Sequence, residues 1–141
     1  MKNIKGFTLV EVLATIVILG ILLMVAVPSV SKLQETSNIR QIEADAKIFV
    51  ELVRQKIESD TSLKIDNTNN VFSLSSIDVT KLSSSEYSAS SSVTVDKDSC
   101  KYDDVTDIYQ CTEFEVNLES DTYKATGTVN SSSVSITGSK K

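Results

Sequence analysis

Phe7-Thr8-Leu9-Val10-Glu11-Val12-Leu13-Ala14-Thr15-Ile16-Val17-Ile18-Leu19-Gly20 opens an apolar run that continues to Val30, and Met1-Lys2-Asn3-Ile4-Lys5-Gly6 precedes it. Between residues 12 and 31 no side chain carries a charge. At the helical rise of about 1.5 Å per residue that stretch spans about 30 Å, the thickness of a bilayer's hydrocarbon core. Lys2, Lys5 and the amino terminus make the preceding segment positive, which holds that end in the cytoplasm. The remainder of the chain is organised outward from this rod.

Glu11 interrupts the apolar character. A carboxylate at such a depth costs on the order of a few kcal/mol, so it either marks the membrane edge or meets a positive partner. An ordinary secretory signal would need small residues after a shorter apolar core. Ala26 offers a weak site of that kind, and Met24 two positions before it is a poor companion. A plain single-span anchor is the other bland reading.

The run Gly6-Phe7-Thr8-Leu9-Val10-Glu11 resembles the class III signal of type IV pilins and pseudopilins. The resemblance is close over residues 1 to about 35 and extends only in shape to the rest. It implies cutting between Gly6 and Phe7 by a prepilin peptidase on the cytoplasmic side, followed by methylation of the Phe7 amine. It further implies a structural subunit of a type IV pilus or related filament, first a single-pass protein of the cytoplasmic membrane and then part of an extracellular filament on the cell surface. The implied partners are other copies of the chain and other pilins, the peptidase, an assembly ATPase and a membrane platform protein. Glu11 would then pair, in assembly, with the new amine of a neighbouring subunit. Gly20 and Pro28 occupy the places where pilins carry a glycine and a proline, and the helix between them is expected to lose hydrogen bonds in the filament. Physically, Gly20 adds backbone freedom and Pro28 lacks the N–H for its helical bond, which predicts a kink. Gly and Pro are also commoner in transmembrane helices generally.

The pattern of the remaining chain is helical first and alternating later. Ile39, Ile42, Ala46, Phe49, Val53 and Ile57 recur at three- and four-residue steps, an amphipathic stripe continuing the rod to about residue 59. Glu35, Arg40, Glu43, Asp45, Lys47, Glu51, Arg54 and Lys56 are expected on the solvated back, where charges alternate in sign. Asp60-Thr61-Ser62 ends the helix, and Asp66 to Asn70 forms a polar turn before Val71-Phe72-Ser73-Leu74. Ile77, Val79 and Leu82 are expected to cap the core, and the serine-rich residues 83–92 read as exposed loop.

A short strand at residues 93–95 is followed by the alternation Phe114-Glu115-Val116-Asn117-Leu118-Glu119, then by strands at 123–129 and 133–137 with turns at Ser120-Asp121 and Asn130-Ser131-Ser132. Phe114, Val116, Leu118, Tyr123, Ala125, Val129, Val134 and Ile136 supply one apolar face, which only the stripe of residues 39–57 can cover. The expected fold class is α+β and pilin-like: a long N-terminal helix, half membrane-spanning and half amphipathic, packed on a three- or four-stranded antiparallel sheet. The corresponding organisation is a leader at residues 1–6, a membrane and filament-core helix at 7–31, an amphipathic helix at 32–59, a connection at 60–92 and a sheet at 93–141.

At 141 residues the chain suits one domain beyond its anchor, with about 110 residues able to bury a modest core. The balance of 14 basic against 19 acidic side chains is unsuited to a nucleic-acid surface. Cys100 and Cys111 lie well beyond the span, and outside the cytoplasm a disulfide between them is the natural expectation. Without His the chain is poor in zinc ligands and in general bases, so neither a metal, a cofactor nor an enzymatic role is expected. Asp96, Asp98, Asp103, Asp104 and Asp107 crowd one loop, yet no Gly or terminal Glu completes a calcium loop. Three roles compete: a pilus subunit, a pseudopilin of a secretion or DNA-uptake system, and a membrane-anchored adhesive or binding domain that never polymerises.

Overall fold

Among the described residues of the computed structural model one α-helix, α1 (Leu9–Ser59), is followed by seven strands, with short 3₁₀ turns between some of them: β1 (Val71–Ser73), β2 (Ser92–Val95), β3 (Cys100–Asp103), β4 (Ile108–Cys111), β5 (Phe114–Glu119), β6 (Tyr123–Val129) and β7 (Val134–Lys140). The structure describes residues 6–83 and 86–141, leaving aside the side chains of residues 27–29. Lys2 and Lys5 of the basic leader, and the ring of Pro28, therefore lie outside the described residues. The chain divides into two units, Met1–Ser37 and Asn38–Lys141.

In the second unit α1 ends where Asp60 stops the ladder. Its N–H still reaches the Lys56 carbonyl at 3.1 Å, but its carboxylate turns to accept from Ser62 N at 3.0 Å. This competition between side chain and backbone is why Asp-x-Ser closes helices and opens turns. Lys56 in the last turn offsets the negative helix end.

Five strands form one antiparallel sheet in the order β1-β2-β5-β6-β7, with Val93 opposite Val116, Leu118 opposite Ala125 and Val129 opposite Val134. Inward positions of β2, β5 and β6 alternate with half-buried or exposed ones, and Val93, Val95, Phe114, Val116, Leu118 and Ala125 are buried in one cluster with Ile42, Ala46, Phe49, Val53 and Ile57 of α1. An α+β architecture of a long N-terminal helix on an antiparallel sheet follows directly from the two periods meeting at one apolar face. Arg54 lies 5.1 Å from the centre of the Phe114 ring at the margin of this core.

Five expectations from the sequence need correction. The sheet has five strands rather than three or four, because Val71-Phe72-Ser73 pairs with β2 and buries Phe72; three residues are too few to show an alternation. Val134 is 55 % exposed despite its place in the pattern, since it sits at the end of the outermost strand. Val79, expected to cap the core, is left exposed while Leu82 is buried and Ile77 packs beside it. The acidic segment is no open loop: β3 and β4 form a separate two-stranded hairpin.

The fifth correction is the largest. Asp45, read as part of the solvated face, is fully buried. It lies three residues after Ile42 and four before Phe49, squarely on the inward face. Its carboxylate accepts from Ser83 N at 3.2 Å to each oxygen, from the Ser83 hydroxyl and from the Tyr87 hydroxyl. None of the ion pairs among the described residues involves it. Neutral donors therefore carry its desolvation. Tyr87, in turn, has its ionisation pushed upward by burial and by the adjoining Asp45 carboxylate. The serine-rich stretch is thus partly structural: Ser91 is buried, exchanging bonds with the main chain of Glu119, and Ser88 N reaches Glu119 O at 2.7 Å.

Candidate functional site

The described part of the amino-terminal unit begins with exposed, non-helical Gly6 and Phe7, and α1 starts two residues after Phe7. The junction named by the sequence is thus irregular, accessible backbone immediately ahead of a helix. Thr8 is the N-cap. Its hydroxyl accepts the Glu11 N–H at 3.3 Å, while the Glu11 carboxylate accepts the Thr8 N–H at 2.9 Å and the Thr8 hydroxyl at 3.2 Å. This reciprocal pair is a capping box, which satisfies donors that the first helical turn leaves open and places a negative charge at the positive helix end. The sequence carried its signature, a threonine followed three residues later by a glutamate ahead of an apolar run. Neither sequence reading of Glu11, as a marker of the membrane edge or as a charge meeting a positive partner, includes this capping role.

Beyond the cap, the apolar side chains from Leu9 to Val25 that are large enough to matter are all exposed, from Leu9 at 85 % to Val12 at 49 %. This part of α1 is long and apolar enough to cross a membrane. Its polar interruptions are self-satisfied: the Thr15 hydroxyl donates to the Val12 carbonyl at 2.8 Å. A side chain added at Gly20 would meet nothing within 4 Å, and Pro28 lies within the run of helical backbone. From Leu9 to Val25 the helix therefore presents an apolar cylinder with one carboxylate, Glu11, already hydrogen-bonded, near its start. Such a surface requires either lipid or protein around it.

In the second unit Cys100 and Cys111 are directly opposite in the β3–β4 pair and joined by a disulfide. The carboxylates described around it are engaged locally, two by backbone N–H groups and two by side chains. Asp96 caps the 3₁₀ turn Lys97–Ser99 by accepting from Asp98 N at 3.0 Å; Asp98 pairs with Lys97 at 2.8 Å; Asp103 accepts from Val105 N at 2.9 Å; and Asp107 accepts from the Tyr102 hydroxyl at 2.7 Å. These bonds hold the Asp103 carboxyl below the usual carboxylate range, and the Asp107 contact pushes the Tyr102 phenol up to about 12. No group of three His, Cys, Asp or Glu among the described residues is placed to hold a metal ion.

Residues 1–27 match the family model of the prokaryotic N-terminal methylation motif. The chain thus carries a type IV pilin-like class III signal peptide at its amino terminus. No curated protein and no solved structure matches the chain.

Proposed function

We propose that this chain is the precursor of a structural, pilin-like subunit. In this reading a prepilin peptidase cuts between Gly6 and Phe7 and methylates the Phe7 amine. The mature chain stays in the cytoplasmic membrane through the apolar part of α1, then leaves lipid for a helical filament whose core is built from those same segments. The observation that carries the reading is the methylation motif running directly into a capped helix whose large apolar side chains from Leu9 to Val25 are exposed. In a filament each copy would present the same surface to the next without closing, a heterologous contact that propagates. Gly20 would supply the backbone freedom for this transfer, with Pro28 as a second weak point in the ladder. The role is structural rather than enzymatic, and its partners are further copies, related subunits, the peptidase, an assembly ATPase and a membrane platform protein.

The test is the intact mass and terminal sequence of the chain isolated from envelope and sheared-filament fractions of its host. The expected product begins at Phe7 with one added methyl group and appears in both fractions. A mature chain that retains Met1 to Gly6 would overturn the reading. A processed chain found in membranes alone would remove the filament from it. Gly6→Val is expected to leave the leader attached, because a branched side chain beside the cut narrows access to the peptide bond.

A further inference from the structure

A cavity of about 310 Å³ lies within the second unit, between α1, the segment carrying Tyr87 and the β5–β6 turn. Nothing in the processing or assembly of the apolar helix uses it. We propose that it is a binding site for a neutral saccharide of one or two rings.

Three observations lead there. The first is preorganisation: two aromatic rings line the cavity, and each is anchored through its hydroxyl. Tyr87 donates to the buried Asp45, and Tyr123 accepts from Asn38 Nδ2 at 3.3 Å. Tyr87 is further fixed by its backbone bridge to Ser120. Rings held in this way lose little freedom when a ligand arrives. The second is the chemistry of the remaining lining. Gln41, Asp121 and Thr122 are exposed at the cavity and supply an amide, a carboxylate and a hydroxyl, and Glu86 adds a second carboxylate. Between them these side chains offer both donors and acceptors to the hydroxyl groups of a ligand.

The third is what the lining lacks. Among the described residues it contains no lysine or arginine, so a phosphate or carboxylate ligand would meet only negative charge there. Its one aliphatic residue, Ile42, is buried beneath it, which leaves too little apolar wall for a lipid chain. A sugar ring has both a C–H face to lie on tyrosine and a rim of hydroxyls for the amide and carboxylates. The volume is at the lower end of ligand clefts, roughly 300–1,000 Å³. With a rim open to water, the affinity expected is about millimolar.

The experiment is saturation-transfer NMR on the full chain in a polyoxyethylene detergent, which carries no sugar. The probes are glucose, galactose, mannose and N-acetylglucosamine, with n-butylamine as the cationic comparison. Transfer to at least one sugar is expected, reduced several-fold in Gln41→Ala and in Thr122→Ala, both exposed positions whose loss leaves the core intact. Tyr87→Phe, which keeps the ring and removes its anchor, is expected to weaken the same sugar by a smaller factor. Transfer to none of the sugars would overturn the proposal. So would binding of n-butylamine alone, which would make this a cation pocket, and so would sugar binding unchanged in both Gln41→Ala and Thr122→Ala.

Discussion

The main-chain nitrogen of Gly138 donates to the Glu43 carboxylate at 2.7 Å, so the helix closes the outer edge of the last strand. The register pairs Gly138 with Ala125, and the bond from Lys141 N to Thr122 O directs alternate residues toward β6. The N–H of Gly138 is left on the far side, where an unpaired donor would template another strand. Close approach is possible because position 138 has no Cβ: one built there would stand 2.9 Å from Ile39 Cγ2 and 3.0 Å from the Ile39 carbonyl. Gly138→Ala is expected to destabilise the second unit by about 1–3 kcal/mol through crowding. Gly127→Ala is expected to be worse, since its Cβ would fall 2.0 Å from the Ser135 carbonyl oxygen, which is backbone and cannot turn aside. Glu43→Ala should destabilise less than either and raise self-association through the opened edge. Thermal denaturation with light scattering checks the order; Gly127→Ala as stable as wild type would refute the strand-contact argument.

Asp45 anchors the connection between helix and sheet. Asp45→Ala leaves the Ser83 N–H, the Ser83 hydroxyl and the Tyr87 hydroxyl without their acceptor, at roughly 1–3 kcal/mol for each group that stays buried. Asp45→Asn retains one acceptor oxygen and should fall between alanine and wild type. Amide hydrogen exchange is the discriminating measurement: protection should drop in residues 83–91 by more than in β5 and β6. A uniform loss across the sheet would mean that Asp45 supports the whole core rather than this segment.

How much of this was legible in the chain depends on the length of each pattern. The stripe of residues 39–57 and the alternation in β5 extend over several periods, so the helix-on-sheet layering could be read directly. β1 has three residues and β3 and β4 four each, too short for a period, and their pairing is set by tertiary contacts. Asp45 was misjudged because its charge outweighed its spacing, and burial of a carboxylate depends on donors 38 and 42 residues away. At the amino terminus the motif located Glu11, while the helix start located Thr8 beside it.

The hairpin offers a pH reading outside the apolar segment. Tyr102 is held neutral first by its hydrogen bond to Asp107, which lifts its phenol from about 10 to about 12. A raised folded-state value means that this contact contributes fully below about pH 10 and is lost as pH climbs through about 12. Tyr109, whose ring centre lies 4.9 Å away, adds packing to the same contact. Phenolate absorbance should show Tyr102 ionising late. Asp107→Asn, which suits the left-handed backbone at that position (φ 55°), should return it toward 10. Tyr87 also ionises late, so the decisive quantity is the number of such tyrosines: a number unchanged in Asp107→Asn would assign the Tyr102 shift elsewhere.

The reciprocal bonds of Thr8 and Glu11 sharpen the last expectation. In an isolated chain Glu11 is satisfied by the helix it begins, which lowers the cost of holding a carboxylate at the edge of an apolar segment. Cleavage after Gly6 would create a positive amine at Phe7, one residue from the cap. If the part of Glu11 in assembly is to meet such an amine on an incoming neighbour, it must keep its charge while giving up or sharing the bond to Thr8. Two substitutions separate these roles. Thr8→Ala removes the hydroxyl that accepts from Glu11 N and donates to its carboxylate, and it should lose about 0.5–2 kcal/mol of helix capping. Because Glu11 keeps its charge, filament incorporation is expected to fall only modestly. Glu11→Ala removes cap and charge together, and Glu11→Gln keeps an acceptor for the cap but loses the charge, so both are expected to fall sharply in sheared filaments while remaining processed and inserted in membranes. The measurement is the ratio of each variant in filaments to that in membranes. Equal losses for Thr8→Ala and Glu11→Ala, with Glu11→Gln near wild type, would reduce Glu11 to a helix cap and remove intersubunit charge pairing from the account.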